Sequence, residues 1–112
     1  NPMSRQKGNQ YEEVASRFLQ EQGWLILRRN YYSAYGEIDI IASKEDELAF
    51  VEVKGRKRKS SWNEDAIPKS KQRKIRLTAE DFLMETEQVY SEYQFAVLWI
   101  EAGDISWIEN AF

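Results

Sequence analysis

The chain has 112 residues, 42% of them hydrophobic and 13% aromatic, which supports one domain with a modest core and excludes a wholly disordered chain. It contains no cysteine and no histidine. That rules out disulfide frameworks, zinc–thiolate sites, thiolate nucleophiles and the usual neutral-pH base, leaving hydrolytic chemistry to carboxylates, lysine, tyrosine, hydroxyls or a bound metal. The net charge of −3 conceals a segregation: residues 54–76 hold ten basic and two acidic side chains, whereas 77–112 hold eight acidic and no basic ones. A concentrated basic block can hold a polyanion even on a chain close to neutral. No apolar run approaches the roughly 20 residues of a membrane span and no signal peptide is visible, so a cytoplasmic protein without membrane contact is expected.

From Gly8 to about Glu21, the residues Tyr11, Val14, Ala15, Phe18 and Leu19 recur at helical spacing and predict an amphipathic helix that stops at Gly23. On a wheel of about 100° per residue, Glu12 falls at the border of the apolar stripe and Glu13 points to water. "WLILRR" (24–29) predicts a strand and 30–35 a loop. Beyond Gly36, "EIDIIAS" (37–43) and "LAFVEVKGR" (48–56) predict two strands joined by a polar "KEDE" turn (44–47), and 57–67 reads as a loop. Pro68 suits the first turn of a second helix running to about Glu87, with Lys71, Ile75, Thr78, Ala79, Phe82 and Leu83 on its inner face. "YQFAVLWI" (93–100) and "ISWIENAF" (105–112), on either side of an "AGD" turn, predict the last two strands. The order is α-β-β-β-α-β-β, one domain over 1–112 in which helices pack against a mixed sheet.

Two acids and a lysine interrupt these strands. Alternation along 48–56 puts Glu52 and Lys54 on one face, Val51 and Val53 on the other. A hairpin around "KEDE" brings Asp39 near Glu52, and two adjacent carboxylates are costly unless a cation or proton settles between them. Magnesium suits such a pair because it prefers hard oxygens and keeps several waters, and the Val53 carbonyl offers another oxygen. Lys54 can then orient a water or steady charge on a phosphate. A cross-strand lysine–acid pair on a solvated sheet face would show the same spacing. In the second helix Lys69, Lys71, Arg73 and Lys74 crowd the N-terminal half, where the dipole is already positive, and Gln72 lies among them. That inverted pattern, continued from Arg56, Lys57, Arg58 and Lys59, is what an anion site shows, and it fits a phosphodiester that the carboxylates alone would repel.

"GNQYEEVASRFLQEQGWLIL", "GEIDII", "FVEVKGR", "PKSKQRKI" and "WIENAF" together resemble the YraN-type family of small bacterial proteins. That family is assigned to the restriction-endonuclease-like superfamily, near the archaeal Holliday-junction resolvases. The resemblance covers almost the whole chain in order. It implies an α/β fold of the restriction-endonuclease-like type, with a mixed central sheet flanked by helices, and a nuclease-type site using Mg2+, with Mn2+ as the substitute. Carried over by position, Glu12 matches the first-helix glutamate, Asp39 the metal-binding aspartate, Glu52 the second ligand and Lys54 the catalytic lysine. Gln72 falls where an auxiliary polar residue often stands. The chain departs from the pattern at Ile38, where the superfamily often has proline, at Ala96, where the family usually has an aspartate, and in the loop after Lys59.

The expectation is a metal-dependent endonuclease acting on DNA, with branched recombination or repair intermediates among its substrates and a homodimer as the arrangement for cutting two strands. Asp39, Glu52, Glu12 and the Val53 carbonyl would face the metal. The alternative is a nucleic-acid-binding module that retains a nuclease-like site without turnover. A third reading, a scaffold whose acidic tail meets a protein partner, predicts no salt-sensitive affinity for DNA.

Overall fold

The computed structural model describes residues 2–56 and 67–112, with side chains over 10–55 and 67–112. The elements are α1 (Pro2–Glu21), β1 (Leu25–Tyr32), β2 (Glu37–Lys44), β3 (Glu47–Arg56), α2 (Lys69–Glu85), β4 (Glu92–Glu101) and β5 (Asp104–Ile108), in the order the sequence predicts. Two boundaries differ in informative ways. α1 begins at Pro2 rather than Gly8, because the residues before Tyr11 carry no apolar period to betray the helix. Its buried stripe runs through Ala15, Ser16 and Leu19, while Val14 is 42% exposed and not part of the inner face. β1 continues through the expected loop, since Tyr31 and Tyr32 pair with Ile38 and Glu37 and the Ser33 N–H closes the hairpin on the Gly36 carbonyl at 2.8 Å. Asn30 takes φ 54° within this strand, a left-handed conformation that asparagine tolerates better than most residues.

The strands form one sheet in the order β1-β2-β3-β4-β5. β3 and β4 are parallel and the other neighbours antiparallel. The parallel pair needs a crossover, and α2 supplies it. α1 covers one face of the sheet, burying Ala15 and Leu19 against Ile40, Ala42, Ala49, Val51, Leu98 and Ile100. α2 covers the other, where Ile75, Ala79 and Phe82 meet Ile38, Ile41, Leu48, Phe50, Phe95 and Val97. The predicted inner face of α2 is thus seen at Ile75, Thr78, Ala79 and Phe82, all buried. At the chain's end, Phe112 stacks on Phe95 at 5.3 Å and the Arg76 guanidinium lies 4.7 Å from the Phe95 ring centre, which fastens the last residues to β4 and α2.

Because the crossover leaves from the carboxyl end of β3, the first turn of α2 sits over that end. In open α/β sheets this is where ligands are bound. Among the described residues, no helix is long and apolar enough to cross a membrane.

Candidate active site

β2 and β3 are paired from their shared turn as far as Ile40 and Val51. Beyond that point the strands part at Asp39. Ile38 belongs to the α2-side core and Ile40 to the α1-side core, so strict alternation is broken between them. The Val53 N–H, which a regular ladder would give to a backbone carbonyl, donates instead to Asp39 Oδ2 at 2.8 Å. β3 stays regular because β4 pairs with it through Arg56. Val51 and Val53 therefore pack towards α1, and Glu52 and Lys54 face α2.

Glu52 is 5% exposed. Its Oε1 lies 2.8 Å from Lys71 Nζ, reaching down from the first turn of α2, while its Oε2 is buried with no hydrogen-bond partner. The space around them is a cleft of about 370 Å³, lined from β2 by Glu37 and Asp39, from β3 by Glu52, and from α2 by Ser70, Lys71 and Lys74.

Burial, and next to it the charge of Glu52, push the Asp39 carboxyl up to about 8, although the Val53 N–H works against them. Burial also pulls the Lys54 ammonium below its ordinary range, helped by the neighbouring charge of Lys71. At Lys71 burial acts downwards too, but the hydrogen bond and charge of Glu52 outweigh it and hold that ammonium above its usual value. Glu12 is raised, first by burial and then by the charges of Glu37 and Glu52, with Asn30 and Arg29 opposing. The arrangement concentrates acidic groups that resist ionising together beside two lysines, one of them strongly held.

The predicted residues fall into several groups. Asp39 and Glu52 line one cleft; Lys54 does not line it, but lies near enough to feel the charges of Glu52 and Asp39. Glu12 comes in from α1 with its Oε2 buried, whereas Glu13 turns out to Arg29 and Arg17. Glu12 does not line the cleft, however, and among the described residues no group of three or more acids forms a ready cation cage. The site is a carboxylate pair with Glu12 behind it. Gln72 is elsewhere: its amide donates to the Ile67 carbonyl at 2.9 Å and ties down the entry to α2 instead of facing the cleft. Lys69, Arg73 and Lys74 are exposed on α2. The side chain of Arg56, and Lys57, Arg58 and Lys59 entirely, lie outside the described residues. Sequence reasoning placed Lys71 among the substrate-binding cations and on the helix's inner face, but missed its ion pair with Glu52; the inner-face position was the available signal. A larger cleft of about 430 Å³ lies by the β2–β3 turn, walled by Trp24 and Trp107 and by Glu45, Asp46, Glu47, Glu92 and Glu109. It holds none of the predicted residues, and its acids would repel a phosphodiester.

Comparison with known proteins agrees with the resemblance in the sequence. The pattern of the uncharacterised protein family UPF0102 matches residues 11–100. A UPF0102 protein of Sulfurihydrogenibium is 41% identical over 108 residues, covering 96% of this chain and 94% of the relative. Others from Desulfosudis oleivorans (42%, covering 96% and 90%) and Vibrio parahaemolyticus (40%, covering 96% and 92%) are similar over the same span.

Proposed function

The chain belongs to the UPF0102 family, and for it we propose metal-dependent hydrolysis of DNA phosphodiester bonds, with branched recombination or repair intermediates as the substrates of first interest. The observation that carries the reading is the buried Glu52 with an unpartnered oxygen, facing Asp39 in a cleft whose other wall is basic. Buried acids that press on one another, with an oxygen left over, match the donor set of a hard divalent ion that keeps most of its waters. Asp39, Glu52 and the Val53 carbonyl would hold Mg2+ or Mn2+, with Glu12 as an outer carboxylate. When bound, such an ion polarises a phosphoryl oxygen and makes a water more acidic.

The chain's own residues supply the rest. Lys54, next but one to Glu52 on the same face, orients the attacking water. Its amine, held below the ordinary lysine range by burial, is suited to taking a proton from the water as its oxygen bonds to phosphorus and the ester P–O bond breaks, the departing ester oxygen being protonated from solvent. Lys69, Arg73 and Lys74 then grip the flanking phosphates, at a helix end whose first turn contains no acid. A pair of such chains would cut two strands of a junction.

The test is a cleavage panel in Mg2+ and Mn2+ on single-stranded, duplex, flap and four-way DNA. Metal-dependent products are expected, with Glu52→Gln and Lys54→Met reducing the rate by roughly 100-fold or more while binding survives. Salt-sensitive binding without cleavage of any form would leave the second reading, a nucleic-acid-binding module without turnover. One observation favours that alternative: Lys71 already neutralises Glu52 from within the chain.

A further inference from the structure

Lys71 and Glu52 each solve a problem the other has. An ammonium in the first turn of a helix sits against the positive end of the dipole, and α2 offers no acid there to offset it. A glutamate as buried as Glu52 needs a partner for its charge. The ion pair at 2.8 Å meets both needs, but only in part, since Lys71 occupies Oε1 and Oε2 remains without a hydrogen bond. With Lys54 as the other cation nearby, the α2 lysine therefore bonds one oxygen only of a carboxylate pair. Its side chain is 42% exposed while that of Glu52 is 6% exposed, so the lysine has open space to withdraw into and the glutamate has none.

Resting on the metal-dependent reading above, we propose that Lys71 is a displaceable internal cation that competes with the divalent ion for Glu52. Without metal it keeps Glu52 from standing unpaired. With metal it gives up the carboxylate and swings to the cleft wall beside Ser70 and Lys74, where its ammonium meets a substrate phosphate. The two positions of one side chain couple two binding events. Metal frees a cation for the polyanion, and by linkage the polyanion, holding Lys71 away from Glu52, favours metal by the same factor. A metal-free chain thus presents fewer positive groups to DNA than a loaded one, although its sequence is unchanged. Lys71 acts here as a positioning and competing residue, distinct from Lys54.

Two measurements without DNA cleavage test this. The first is Mn2+ binding followed by the electron paramagnetic resonance of the free ion, on wild type, Lys71→Met, Lys71→Arg and Asp39→Asn. The second is amine labelling of wild type with peptide mass spectrometry, with and without saturating Mn2+. Lys71→Met is expected to bind Mn2+ roughly tenfold more tightly than wild type, as removal of a charged competitor predicts. Lys71→Arg should stay near wild type, and labelling of Lys71 should rise several-fold on adding Mn2+. Mn2+ binding by wild type that Asp39→Asn abolishes, with no gain in Lys71→Met and unchanged labelling, overturns the displacement while the metal site stands. Absence of Mn2+ binding in every variant overturns both. If Lys71→Met fails to fold, the labelling of wild type decides the matter.

Discussion

At Asp39 a carboxyl group is held where charge is costly, by burial first and by Glu52 second. Its value rises from an ordinary 3.8 to about 8 in the folded chain. A group raised in this way contributes stability that is complete below its unfolded value and is lost as the pH climbs through its folded one. In buffer with chelator, the wild-type unfolding free energy should therefore fall between pH 6 and pH 9, by something on the order of 1–3 kcal/mol. Asp39→Asn keeps an oxygen for the Val53 N–H and should lose most of that slope. The chain has no histidine or cysteine to confuse the assignment. Denaturant titrations of the two proteins across that range check this, and equal slopes would locate the titration elsewhere. On the proposed reading, a divalent cation between Asp39 and Glu52 would relieve the same discomfort.

At the scale of elements, the site depends on how closely α1 approaches β3. Gly55 follows Lys54 directly, and a Cβ there would overlap the ring of Tyr11 on α1. Gly55→Ala should push the helix away, lowering stability by about 1–3 kcal/mol in a urea titration and moving Glu12 with it; an unchanged midpoint would mean that this contact does not set the helix position. The faces of these elements were legible in the sequence. Period two placed Glu52 with Lys54, and period 3.6 separated Glu12 from Glu13, whose side chains are 13% and 51% exposed. What local pattern does not encode is contact across the crossover. The Lys71–Glu52 pair joins a helix to a strand across the crossover, so spacing signals no more of it than the inner-face position of Lys71. Gln72, one position along, looked equally suited to a phosphate and instead bonds the Ile67 carbonyl. The extension of β1 through Tyr32 likewise follows from pairing with β2, which overrides the loop expected from residue 30.

Over the whole molecule, the charge segregation seen in the sequence becomes a polarity of the fold. The basic first half of α2 stands at the carboxyl end of β3, while the opposite end of the sheet carries Glu45, Asp46, Glu47, Glu92 and Glu109 around its own cleft. A polyanion would be drawn to one end and turned away from the other, which orients it before any close contact forms. The sheet order explains why these ends differ, since the single parallel junction places a helix start over one end only. The Asp39–Glu52 pair at that end carries the proposed metal site, and the most direct test is anomalous diffraction from crystals grown with Mn2+. The account predicts one peak between the carboxylates of Asp39 and Glu52, with Lys71 Nζ withdrawn from Glu52. No peak there, with Lys71 Nζ still 2.8 Å from Glu52 Oε1, would contradict it.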